Sequence, residues 1–68
     1  MQKILPNKTY RHYKGNLYKV LAIGKNSETL EDMVIYQSIK TNEIWIRPIY
    51  MWNETIDKNG TLRFTLVE

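Results

Sequence analysis

Short β-rich runs separated by turn residues follow one another along the whole chain, and no stretch keeps a helical pattern for more than one or two turns. Thr9-Tyr10-Arg11-His12-Tyr13 consists largely of β-branched and aromatic residues, which suit a pleated strand. Lys14-Gly15-Asn16 reads as a tight turn, because Gly15 is free to take a positive φ. Leu17 to Ile23 has apolar residues at both parities, which predicts a central strand covered on both faces. Gly24 to Asp32 is polar and predicts a loop. The β character resumes at Met33-Val34-Ile35-Tyr36, and Thr41-Asn42 mark the next turn. Ile44 to Arg47 is a further strand, stopped by Pro48, which has no N–H to give to a ladder.

The end of the chain permits a register argument. Asn59-Gly60 between Thr55-Ile56 and Leu62-Arg63-Phe64 is a hairpin signal. A two-residue loop puts Leu62, Phe64 and Leu66 on the face of Asp57 and Thr55, which is a poor core. A three-residue loop, Lys58-Asn59-Gly60, pairs Asp57 with Thr61 and Ile56 with Leu62. Ile56, Leu62, Phe64 and Leu66 then share one face, and Gly60 takes the left-handed position of a bulge. That register is the expectation. It also turns Glu54 inward.

About five such strands in 68 residues predict an all-β antiparallel domain. A seven-stranded sandwich does not fit this length. A small closed or nearly closed barrel does, and closure removes the exposed edges. The expectation is one domain over residues 1–68, with 1–8 as a loose lead-in behind Pro6 and Asn7.

Size and composition bound the function. There is no Cys, so neither a disulfide framework nor a thiolate metal site is available. With 43% hydrophobic and 25% charged residues the chain is in the globular range. A domain this short buries only about 60% of its unfolded surface. Its core rarely nets more than about 3–5 kcal/mol. A deep catalytic cavity would have to be carved from that same core, which favours a non-catalytic module with no cofactor and no metal.

Ten Lys and Arg against seven Asp and Glu give a net charge of +3. Lys3, Lys8, Arg11, Lys14, Lys19 and Lys25 follow one another with no acid among them, a distribution that suits phosphates. Solvated strand lysines that discourage edge pairing are the plainer explanation. No apolar run approaches the roughly 20 residues of a membrane span. The first six residues hold no long apolar stretch of a secretory signal, so a cytoplasmic protein is expected.

His12 is the single histidine, and its face-mate on a strand is Tyr10. It reads as a partly buried ring, or as a group for binding or pH sensing. An inward Glu54 needs a partner, and Arg47, on the face of Trp45, is the predicted one. Ser27-Glu28-Thr29 reads as loop and cap residues rather than a nucleophile site, and Thr29 with Asp32 matches a capping box for one helical turn. Tyr10, Tyr13, Tyr18, Tyr36, Tyr50, Trp45 and Trp52 exceed what such a core needs. Tyr and Trp are enriched at interfaces, so an aromatic and basic surface is expected, although half of these rings filling the barrel and shielding its open ends is the plainer explanation. The candidate binding residues are Tyr10, Arg11, His12, Tyr13, Tyr18, Trp45, Arg47, Trp52 and Glu54.

Tyr10-Arg11-His12-Tyr13-Lys14-Gly15, Leu17-Tyr18, Val20-Leu21, Ser27-Glu28-Thr29-Leu30-Glu31, Val34-Ile35-Tyr36, Trp45-Ile46-Arg47-Pro48 and Arg63-Phe64 together resemble the bacterial domain of unknown function 1653 family. The likeness runs from about Tyr10 to Leu66. It implies an SH3-type barrel and, by analogy with that fold, a short 3₁₀ turn within Pro48 to Trp52. It implies no activity. Asn26 departs from the family pattern, which often has His before Ser-Glu-Thr. The leading functional reading is a module that binds a protein or peptide, as a monomer or homodimer. The alternatives are a nucleic-acid-binding barrel using Arg11, Lys14, Lys19 and Lys25, and a small enzyme or enzyme subunit in which His12, Arg47 and Glu54 converge.

Overall fold

A computed structural model of the chain describes residues 4–67. Lys3 of the basic series, and the start of the lead-in, lie outside that range. The strands are β1 (Thr9–His12), β2 (Leu17–Lys25), β3 (Asp32–Ser38), β4 (Ile44–Pro48) and β5 (Phe64–Leu66), with one helical turn, α1 (Ile49–Trp52), between β4 and β5. All pairings are antiparallel, in the single order β4-β3-β2-β1-β5. The predicted strand content therefore holds, but closure does not: β4 and β5 are the two edges of an open sheet. The reason lies in α1. β4 runs straight into it, and its Trp52 ring lies flat on Phe64 of β5, with centroids 3.7 Å apart and planes 2° from parallel. Side-chain stacking, not a backbone ladder, links the two edges.

Cross-strand neighbours share a face of the sheet. One row runs Tyr10–Tyr18–Ser38 and the next Val20–Tyr36–Trp45. Arg47 stands opposite Val34, and Phe64 opposite His12. This inner face holds the core: Ile4, Tyr10, Val20, Val34, Tyr36, Trp52 and Phe64. Tyr10 and Tyr36 meet the Trp52 ring edge-on at 5.4 and 5.0 Å, a favoured aromatic geometry. Tyr10, Tyr36 and Trp52 are thus interior, while Tyr13, Trp45 and Tyr50 stay about half exposed. On the other face of β4, Ile44 and Ile46 are both more than half exposed.

Four further expectations are corrected. β2 is central, but its apolar residues at both parities do not signal two covered faces. A bulge between Val20 and Ala22 shifts the phase, so that Ile23 lands opposite Val34. The predicted loop is shorter at both ends, because Gly24 and Lys25 still pair with Met33 and Asp32, and Lys25 Nζ lies 2.7 Å from the Asp32 carboxylate. Residues 4–8 are not loose: Ile4 is buried, the Leu5 N–H donates to the Tyr10 hydroxyl at 2.8 Å, and the Asn7 N–H to the Val20 carbonyl at 2.8 Å. The turn after Pro48 is α-helical rather than 3₁₀, since the Asn53 N–H reaches the Ile49 carbonyl at 3.2 Å.

The final hairpin has a loop one residue longer than predicted. Thr55 pairs with Leu62, and the Ile56 N–H donates to the Thr61 carbonyl. The Asp57 side chain causes this, since its Oδ1 accepts from the N–H groups of both Asn59 and Thr61. Asp57 thereby joins the loop instead of the ladder. Gly60 does take a left-handed φ of 81°, as does Gly15 at 103°.

Candidate functional site

β2, β3 and β4 line up Tyr18, Ser38 and Trp45 along one end of the inner face. Beyond the core an open groove of about 250 Å³ remains there. Tyr18 and Trp45 form its walls, Ser38 its buried floor, and Asn16, Lys40 and Glu43 its rim. The floor is held by the turn, as the Thr41 N–H donates to Ser38 Oγ and the Asn42 N–H to the Ser38 carbonyl. Trp45 is about half exposed.

Next to the groove the Tyr18 ring meets Tyr36 edge-on at 5.4 Å, and the Tyr36 hydroxyl accepts from Arg47 Nε at 3.3 Å. The Arg47 guanidinium lies 5.7 Å from the Phe64 ring centre. His12 packs edge-on against the same ring at 5.0 Å, and its Nδ1 accepts from the Lys14 N–H at 3.2 Å. Burial pushes the His12 pKa below its ordinary 6.5, and the charges of Arg63, Arg47 and Lys14 push it the same way. A neutral ring that accepts at Nδ1 carries its proton on Nε2.

Of the predicted site residues, His12, Tyr18, Trp45 and Arg47 share this face. Tyr13 joins at its margin, half exposed, with its ring 4.5 Å from His12 and Lys14 above it. Tyr10 and Trp52 are fully buried, so they present no aromatic face to a partner. Arg11 lies on the opposite face, since it follows inward Tyr10 and pairs with Leu17. Glu54 does not pair with Arg47. The longer hairpin loop sets it opposite Arg63, whose Nη2 it meets at 2.9 Å.

Sequence reasoning gave no site role to Arg63, nor to Ser38, Lys40 and Glu43. The Arg63 signal was present in the hairpin, where a loop one residue longer makes it the partner of Glu54. The basic series does not form one surface. Arg11 and Lys19 are on the outer face, Lys25 is paired with Asp32, and Lys14 is at the β1–β2 turn. Asn26 closes the β2–β3 loop, because its Oδ1 accepts from the N–H groups of Glu28 and Thr29. Thr29 accepts from the Glu31 N–H within that loop and caps no helical turn. Among the described residues no three His, Asp or Glu side chains are placed to hold a metal, and no helix is long and apolar enough to cross a membrane.

The fold and groove define a class: a small all-β protein with one open five-stranded antiparallel sheet, an aromatic core and a shallow aromatic-walled cleft. Residues 8–66 match the family described as Protein of unknown function (DUF1653), and the chain belongs to that family. A crystal structure of a DUF1653 protein from Bordetella bronchiseptica is 35% identical, covers 98% of this chain and 91% of its own, and superposes with a TM-score of 0.82. No curated protein matches the chain.

Proposed function

We propose that the chain is a non-catalytic, SH3-like binding module that holds an extended peptide of a partner protein in the groove between Tyr18 and Trp45. The half-exposed Trp45 indole, lining an open cleft together with Tyr18, carries this reading. Aromatic walls of this kind suit proline-rich or other extended segments, which lose little entropy on binding. The cleft's roughly 250 Å³ is below the about 300–1,000 Å³ of small-molecule pockets. It therefore fits a side chain or two rather than an enclosed substrate. Lys40 and Glu43 give the rim charges of both signs, which suits a peptide better than a phosphate chain. The strand order, with a helical turn before the last strand, supports the SH3-like assignment although the sheet is open.

Fluorescence-polarisation screening of labelled proline-rich and other extended peptides tests the proposal. Binding is expected to shift the amide resonances of residues 16–18, 38–43 and 45. Trp45→Ala is expected to weaken it at least tenfold, about 1.4 kcal/mol. Peptides that bind equally well to that variant, or that shift only resonances elsewhere, would refute it.

A further inference from the structure

β4 is an edge strand whose outer side is left open. Among the described residues it is hydrogen-bonded on one side only, to β3. Which of its backbone groups face outward follows from one bond. The Ser38 N–H donates to the Glu43 carbonyl, and Ser38 and Glu43 continue the β3–β4 register, in which Gln37 stands opposite Ile44. Hydrogen-bonded and non-hydrogen-bonded pairs alternate along an antiparallel ladder. Glu43, Trp45 and Arg47 therefore turn their backbone groups toward β3, while Ile44 and Ile46 turn theirs to the free edge. Both isoleucine side chains lie on the outer sheet face, 59% and 64% exposed.

Sheet edges are commonly blunted by shortness, by lysine or by proline. β5, at the other edge, is only three residues long. β4 has neither lysine nor proline before its last residue, Pro48.

We propose that two copies of this chain associate through antiparallel β4–β4 pairing, with the two-fold axis at Trp45. The sequence Glu43-Ile44-Trp45-Ile46-Arg47 is self-complementary about that residue. Ile44 of each copy stands opposite the other copy's Ile46, and each such pair exchanges both N–H···O=C bonds. Trp45 meets its own copy at a non-hydrogen-bonded position, where side chains approach most closely. Glu43 faces the other copy's Arg47 at the same kind of position, so two ion pairs close the ends. The neighbouring registers do worse. Centring on Ile44 leaves Arg47 opposite Thr41, and centring on Ile46 puts Ile44 against Pro48, which has no N–H to donate. The result is a continuous ten-stranded sheet across the two-fold. The contact is small, so association is read at high protein concentration. Ile44 and Ile46 are on the face away from the groove, whereas Trp45 and Glu43 belong to both the groove and the contact, so a peptide held in the groove competes with pairing.

Sedimentation equilibrium over a wide concentration range, with far-UV circular dichroism to check folding, tests the pairing. Wild type is expected to dimerise, with Trp45 emission shifting to the blue as dimer forms. Ile46→Lys is expected to abolish the dimer without loss of fold, since its side chain is mostly in solvent. Glu43→Lys is expected to weaken association at least threefold, and Glu43→Lys with Arg47→Glu to restore most of that loss. A wild type that stays monomeric throughout overturns the proposal. So does a dimer unaffected by Ile46→Lys, or one in which the charge reversals leave affinity unchanged.

Discussion

Removing the indole of Trp52 should unfold this domain, although Trp52 belongs to no strand. The ring is fully buried, lies flat on Phe64 at 3.7 Å, and is met edge-on by Tyr10 and Tyr36. It is also the link between the two unpaired sheet edges. Truncating a buried Trp to Ala typically costs about 3–5 kcal/mol, and a site that cannot collapse is at the upper end. Four aromatic rings held by three strands and one helical turn leave little room for collapse. A chain of this size rarely nets more than about 3–5 kcal/mol from its core. The two figures are equal, so Trp52→Ala is expected to be largely unfolded at 25 °C. Trp52→Phe keeps a ring on Phe64 and is expected to fold with a lowered urea midpoint. Trp45→Ala serves as the control: half exposed, it should cost well under about 1 kcal/mol. Urea titration followed by circular dichroism, with dispersion of the amide proton–nitrogen spectrum, reads all three. A Trp52→Ala protein that unfolds cooperatively with a loss under about 2 kcal/mol would refute the reasoning, as would a Trp45→Ala protein damaged equally.

Other outcomes are also expected. The folded His12 pKa is below the unfolded 6.5, first through burial and then through Arg63, Arg47 and Lys14. Below pH 6.5 the unfolded chain takes up a proton that the fold resists. Stability should therefore fall as pH drops from 6.5 toward the folded value and level off beneath it, and His12→Gln should flatten that slope in urea midpoints measured between pH 5 and 7.5. Asp57 acts in a lower window. Hydrogen bonds from Thr61, then from Asn59 and Gly60, hold its carboxyl below its ordinary 3.8. Its contribution is present above pH 3.8 and is lost as pH falls through the folded value, and the midpoints of Asp57→Ala should lack that step. Gly60→Ala should cost about 1–2 kcal/mol from its left-handed φ alone, since a Cβ there meets nothing within 4 Å. Gly24→Ala, where a Cβ only touches Ile35 Cδ1 at 3.5 Å, should be nearly neutral, and thermal melts separate the two.

The run of short β segments, the glycine turns at Gly15 and Gly60, and the stop at Pro48 were all readable in one dimension. Each depends on residues a few positions apart: alternation, φ freedom, a missing N–H. The face shared by Trp45 and Arg47, and that shared by Tyr10 and His12, followed from the same alternation. Other features depended on contacts that local sequence does not encode. The bulge after Val20 changes which residues of β2 point inward, and the Asp57 carboxylate lengthens a loop and gives Glu54 to Arg63 instead of Arg47. Burial was the least legible feature. Hydropathy favours Ile44 and Ile46 over Tyr10 and Tyr36, yet the sheet order leaves β4 at an edge and sets the tyrosines under Trp52. Neighbouring residues along the chain were enough to say where strands begin and turn. Which rings became core and which walled the groove was left to the assembled sheet, because burial is settled by what packs across it.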